Sequence, residues 1–240
     1  MNKSKNGWVS RKKLKAEFCL TKLLRLADTA RTRKLRLFAA ACCRRVFTSV
    51  RADQAILNAE KHADKEITDQ QLLTIRLDQF MAYDDVTYSL LQQIERAAIL
   101  DLLFIRTNYS RESLCNNTFM HIDHQAAFDV CASTSTFAAH SEHVAPSKRY
   151  QEERDVQIKL LINTFYTIFR PHKLDPRWLT SNVVDLVEAI YIERAFEKMP
   201  ILSDALMDAG CNNEEILDHC RSDFPKYRGD WVIDLILEKE

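Results

Sequence analysis

The sequence predicts an all-α fold, an irregular bundle of about nine to ten helices. Three observations carry this. Glycine is scarce, with only Gly7, Gly210 and Gly229 among 240 residues, while leucine, alanine, glutamate and lysine are abundant. Apolar residues recur at helical spacing, as in Val183, Leu186, Val187, Ile190 and Tyr191. The stretch from Leu174 to Glu240 is dense in helix start and stop signals. The same scarcity of glycine excludes glycine-rich phosphate loops and dinucleotide turns, which need clustered glycines for close backbone approach. No cofactor is expected.

Residues 1–9 read as a flexible basic arm and 10–240 as a single all-helical domain, with a sub-boundary placed near 144–150. Ser10 caps a helix over about 11–27. The next helix, about 33–50, segregates at 100° per residue. Arg33, Lys34, Arg36, Arg44, Arg45 and Arg51 fall on one half of the wheel. Leu35, Phe38, Ala39, Cys42, Cys43, Val46 and Val50 fall on the other, and Leu37 alone sits among the bases. Helix continues over 52–63. Thr68 caps a helix to about 82, and Asp84 or Asp85 starts another to about 105, a default antiparallel pair.

Residues 106–120 form the best loop candidate, and Val144 to Tyr150 a linker. A helix then spans about 150–169, ended by Pro171. Trp178 and Leu179 anchor the connector that follows. Thr180 or Ser181 caps the next helix, Pro200 sits in a first turn and Gly210 supplies a left-handed stop. Asn213 caps a short helix over Glu214–Cys220, and Gly229 or Asp230 opens the last.

Formal net charge is zero, but the layout is lopsided. Residues 1–51 carry 15 Lys and Arg against 2 acids, a net of +13; the remainder carries 19 bases against 32 acids, a net of −13. Either the basic segment packs against the acidic remainder or it forms a phosphate-binding face. Seven cysteines in no regular framework, with no apolar leader at the N-terminus, give an expectation of reduced thiols in the cytoplasm. No apolar run approaches the ~20 residues that span a bilayer.

Four sets of residues invite chemistry. His121, His124, His140 and His143 make two His-x-x-His pairs, each on one helical face. On one continuous helix, however, 124 and 140 lie about 160° apart, so the four do not converge on a metal. Cys211 and Cys220 are separated by over ~10 Å along a short helix, and adjacent His219 and Cys220 diverge. His219 fits the helix C-terminal dipole better. Asp234, alone in an apolar helix, needs a partner, with Arg228 or Arg221 the nearest in sequence. Arg221, Lys226, Tyr227 and Arg228 form a small basic patch, read as a surface loop.

Arg33-Lys-Leu-Arg-Leu-Phe-Ala-Ala-Ala-Cys-Cys-Arg-Arg45 resembles the N-terminal signature of a large family of uncharacterised proteins expanded in planctomycete bacteria. Leu174-Asp-Pro-Arg-Trp-Leu-Thr180, Ala189 to Phe196, Pro200 to Cys211, Ile216 to Arg221 and Arg228-Gly-Asp-Trp-Val-Ile-Asp-Leu235 resemble its C-terminal signature, in order. The likeness covers about 30–75 and 155–240 and implies bacterial origin but no activity. Family members often carry histidine in place of Lys226 and cysteine in place of Asp230, and lack the histidine cluster.

The leading functional expectation is a non-catalytic protein-interaction or regulatory module with another protein as partner. The alternatives are DNA or RNA binding through Arg33, Lys34, Arg36, Arg44, Arg45 and Arg51 with the arm 3–15, and a metal- or thiol-dependent enzyme. No catalytic residue and no membrane partner are expected.

Overall fold

The structure, a computed structural model, describes residues 32–81, 90–104, 130–131, 133–135 and 146–239. Ten α-helices occur among them: α1 (Thr32–Val46), α2 (Val50–Ala63), α3 (Asp69–Met81), α4 (Leu90–Phe104), α5 (Pro146–Thr164), α6 (Tyr166–Phe169), α7 (Ser181–Glu193), α8 (Met199–Asp208), α9 (Glu214–Arg221) and α10 (Trp231–Ile236). Short 3₁₀ turns lie at Pro176–Trp178 and Phe196–Lys198, and residues 130–131 and 133–135 are helical. No strand occurs among the described residues, as the composition predicts. The expected helix over 11–27, the loop 106–120 and the histidines 121, 124, 140 and 143 lie outside the described residues.

Local chemistry sets the helix starts. Thr68 and Gln71 form a reciprocal capping box: Gln71 N donates to Thr68 Oγ1 at 3.3 Å and Thr68 N to Gln71 Oε1 at 2.8 Å. Thr180, Asn213 and Asp230 cap α7, α9 and α10 through their side-chain oxygens. Gly210, at φ +87°, closes α8: Cys211 N reaches Leu206 O and Gly210 N reaches Met207 O, both at 2.9 Å.

Three boundaries differ from expectation. The helix read over 33–50 and onward is two helices, because Ser49 accepts from Ala52 N and starts α2. The linker read at 144–150 is helical from Pro146, which occupies the position where a missing N–H costs nothing. The helix read over 150–169 breaks at Phe165. There the Leu160 carbonyl takes hydrogen bonds from the Thr164 hydroxyl (2.8 Å) and the Tyr227 hydroxyl (2.7 Å), the kind of insertion that bends a helix.

The helices build two apolar cores. One gathers Phe38, Cys42, Phe47, Ile56, Leu72, Ile99, Leu102, Leu160 and Phe165 from α1 to α5. α1 packs on α2, α4 and α5. Its Ala39-Ala40-Ala41-Cys42-Cys43 run meets the buried Ala52, Ala55, Ala59 stripe of α2, and small side chains on both surfaces let the axes come close. The second core gathers Val183, Val187, Ile190, Leu202, Leu206, Ile216, Trp231 and Ile233 from α7 to α10. Tyr227 belongs to the first core although it precedes α10. Gly229, at φ +97°, brings the backbone against α1; a Cβ there would stand 3.2 Å from Leu37 Cβ.

Candidate functional site

The cationic helix is not an outer surface. Every residue of α1 from Lys34 to Cys43 is buried, Lys34 at 2% and Arg36 at 1% exposure. Lys34 Nζ lies 4.0 Å from Asp234, and Arg36 Nη1 donates to Leu102 O at 3.3 Å. Arg33 donates to both oxygens of Asp234 (2.9 and 3.1 Å), to Asp64 Oδ1 (3.1 Å) and to the Tyr191 hydroxyl (3.0 Å). Arg44 pairs with Glu60 at 3.2 Å and Arg45 with Glu153 at 3.1 Å. Arg51 is exposed on the first turn of α2. Of the two readings left open for 33–51, packing against acids describes Arg33 and Lys34, while Arg44 and Arg45 pair with acids but stay partly exposed and Arg51 is exposed.

The expected ion pair of Asp234 is corrected. Its partner is Arg33, not Arg228 or Arg221. Arg228 turns to Asp64 at 3.4 Å and stacks 4.8 Å over the Tyr191 ring, while Arg221 pairs with Asp204 at 2.9 Å. Burial opposes charge on Arg33, but Asp234 foremost, then Tyr191 and Asp64, holds its guanidinium protonated beyond its ordinary range. Burial likewise pushes the Tyr191 phenol up, so it stays protonated and donates to Asp64 Oδ2 at 2.5 Å. The proposed Arg221, Lys226, Tyr227, Arg228 patch is dispersed, since Tyr227 points into the first core.

A concave site lies elsewhere, at the end of α5 and α6, along α9 and at the start of α10. It is a cleft of about 240 Å³. Trp231 and Asn163, both buried, are among its walls; Glu214, Glu215 and Asp218 stand exposed on α9. Asp230, wholly buried, caps α10 through Val232 N and accepts from His219 Nε2 (2.8 Å) and Asn163 Nδ2 (3.0 Å). Burial pushes the Asp230 carboxyl up, but His219, Asn163 and Lys226 outweigh it and hold it below the usual carboxylate range. An ionised Asp230 makes His219 Nε2 the protonated ring nitrogen. Rings line the site: Tyr166 lies 4.6 Å and His219 5.1 Å from Trp231, and behind them His172 packs against both Tyr166 (5.6 Å) and Trp231 (5.0 Å).

The His219–Asp230 pair has the form of an oriented base, which by itself performs no covalent chemistry. The Ser222 hydroxyl donates to the His219 carbonyl at 2.8 Å, not to the imidazole. Burial pushes the Cys220 and Cys211 thiols up, and that of Cys42 as well, which disfavours thiolate. Among the described residues no group of three or more His, Cys, Asp or Glu could hold a metal ion.

Sequence reading took His219 as a dipole partner and Asp230 as a cap, and missed their contact. It also missed Asn163, Tyr166, Glu214 and Asp218. One signal was present: Asp230 has a second carboxylate oxygen that a cap leaves over. No protein-family model, curated protein or solved structure matches the chain. No helix among the described residues is long and apolar enough to cross a membrane.

Proposed function

We propose that the chain is a non-catalytic protein-interaction module that engages another protein at the cleft between α9 and the α5–α6 corner. The observation that carries this reading is a ring-lined concavity with exposed acids at its edge and, among the described residues, no activated nucleophile beside its histidine. Ring faces held rigid by mutual packing supply contact area at low entropic cost, as at interaction hot spots. The His219–Asp230–Asn163 contacts then act as a scaffold that fixes the wall. In support, five of the six cations of the nucleic-acid alternative, Arg33, Lys34, Arg36, Arg44 and Arg45, are buried or paired with acids; Arg51 is exposed, and the arm 3–15 lies outside the described residues.

The test is a pair of pull-downs from the source cell's lysate, with the wild-type chain and with Asp218→Arg as baits. Asp218 is exposed and lines the cleft, so the variant is expected to fold and its longer side chain to fill the cleft. A partner retained by the wild type and lost from the variant is expected. Recovery of the same proteins by both baits removes the reading.

A further inference from the structure

We infer that the cleft takes a cationic side chain, the ammonium of a lysine or the guanidinium of an arginine in a basic segment of the partner. This rests on the interaction reading and specifies its chemistry. Three independent features converge.

The first is charge without a counter-charge. Glu214 and Asp218 are one turn apart on α9, where like charges repel. The cations nearest in the fold are committed elsewhere: Arg170 to Glu215 at 2.8 Å, Arg221 to Asp204, and Lys226 to the Ser222 and Phe224 carbonyls. No ion pair to Glu214 or Asp218 occurs among the described residues.

The second is an unmet acceptor. Asn163 is 2% exposed and lines the cleft. Its amide nitrogen donates to Asp230 and to Pro225 O, which fixes the orientation of the amide. Its Oδ1 is buried with no hydrogen-bond partner. A buried acceptor left unmet costs on the order of 1–3 kcal/mol, and an N–H donor entering the cleft removes that cost.

The third is the lining. Tyr166, half-buried and packed on the buried Trp231, presents an aromatic ring to the cleft, and ring faces attract cations. At about 240 Å³ the space is smaller than the ~300–1,000 Å³ of pockets that enclose drug-sized ligands. It suits one side chain, with the rest of the partner outside. An anion is disfavoured by the two free carboxylates, and a purely apolar group would leave Asn163 Oδ1 unmet.

The experiment is a nitrogen–proton correlation titration of the full chain with end-blocked Gly/Ser peptides carrying one central lysine, arginine or norleucine. The lysine or arginine peptide is expected to move the Trp231 indole signal and the α9 amides saturably, and the norleucine peptide to leave them in place. In Glu214→Gln/Asp218→Asn, whose side chains are exposed and whose fold the same spectrum checks, binding should weaken about tenfold. Equal saturation by norleucine, unchanged affinity in the double variant, or no movement with any peptide overturns the cation assignment. The Asp218→Arg pull-down stands or falls separately, so loss of the cation assignment and loss of the interaction reading are distinct results.

Discussion

At the scale of single residues, Arg33 is the most consequential side chain. It is a half-buried cation with four hydrogen bonds to three partners, at the C-terminal end of α2, in α7 and in α10. Removing one member of such a pair leaves the other charge without compensation, a larger loss than removing both. Asp234→Leu should therefore cost about 3–5 kcal/mol, and Arg33→Met a similar amount, while the double variant recovers only part of the loss, since Lys34 and Asp64 each lose a partner in it. Urea midpoints of the three variants measure the cycle. Simple additivity would show that the pair is not coupled. The sequence marks Asp234 as needing a partner because every neighbour in its helix is apolar. It does not name the partner, since Arg33 is 201 positions away.

At the scale of elements, caps and stops were the most legible features. Thr68, Thr180, Asn213 and Gly210 act within a turn of where they stand, so their roles follow from local spacing. The helix break at Ser49 was hidden because periodicity runs through it. The α5–α6 break was hidden because its cause, Tyr227, arrives 63 positions after Thr164. Leu37 was the overlooked clue about α1: one leucine among the bases marks a face that something covers, and that cover is the Gly229 loop. The two structured glycines should behave differently. Gly210→Ala, with open space around its Cβ, should cost about 1 kcal/mol for its left-handed backbone. Gly229→Ala adds a 3.2 Å contact with Leu37 Cβ and should lower the melting temperature further. Equal melting temperatures would mean that α1 yields freely at this contact.

At the scale of the molecule, polar contacts tie the two cores. Arg33, Asp64, Tyr191, Arg228 and Asp234 make one such tie, and Asn163 with Asp230 a second. Arg33→Ala should therefore speed amide exchange in α7 and α10 as well as in α1. A change confined to α1 would show that the cores open independently. The fold class was legible because helix propensity and glycine scarcity are summed over the whole chain. The charge imbalance was legible too, but not its meaning: a covered face and an open one have the same composition. The cleft was the least legible feature, since Asn163 and Asp230 meet 67 positions apart and no local pattern joins them.

The distance between Arg33 and Asp234 also governs order in time. During synthesis the Arg33 guanidinium can meet Asp64 after 31 positions, but its second carboxylate, Asp234, is added only 201 positions later. At about 5–20 residues per second that interval is on the order of 10–40 s. A helix whose sides are all destined for the interior must spend it incompletely covered. The first helix described here is thus among the last to become fully buried, and α10, only six residues long, is the piece that closes it.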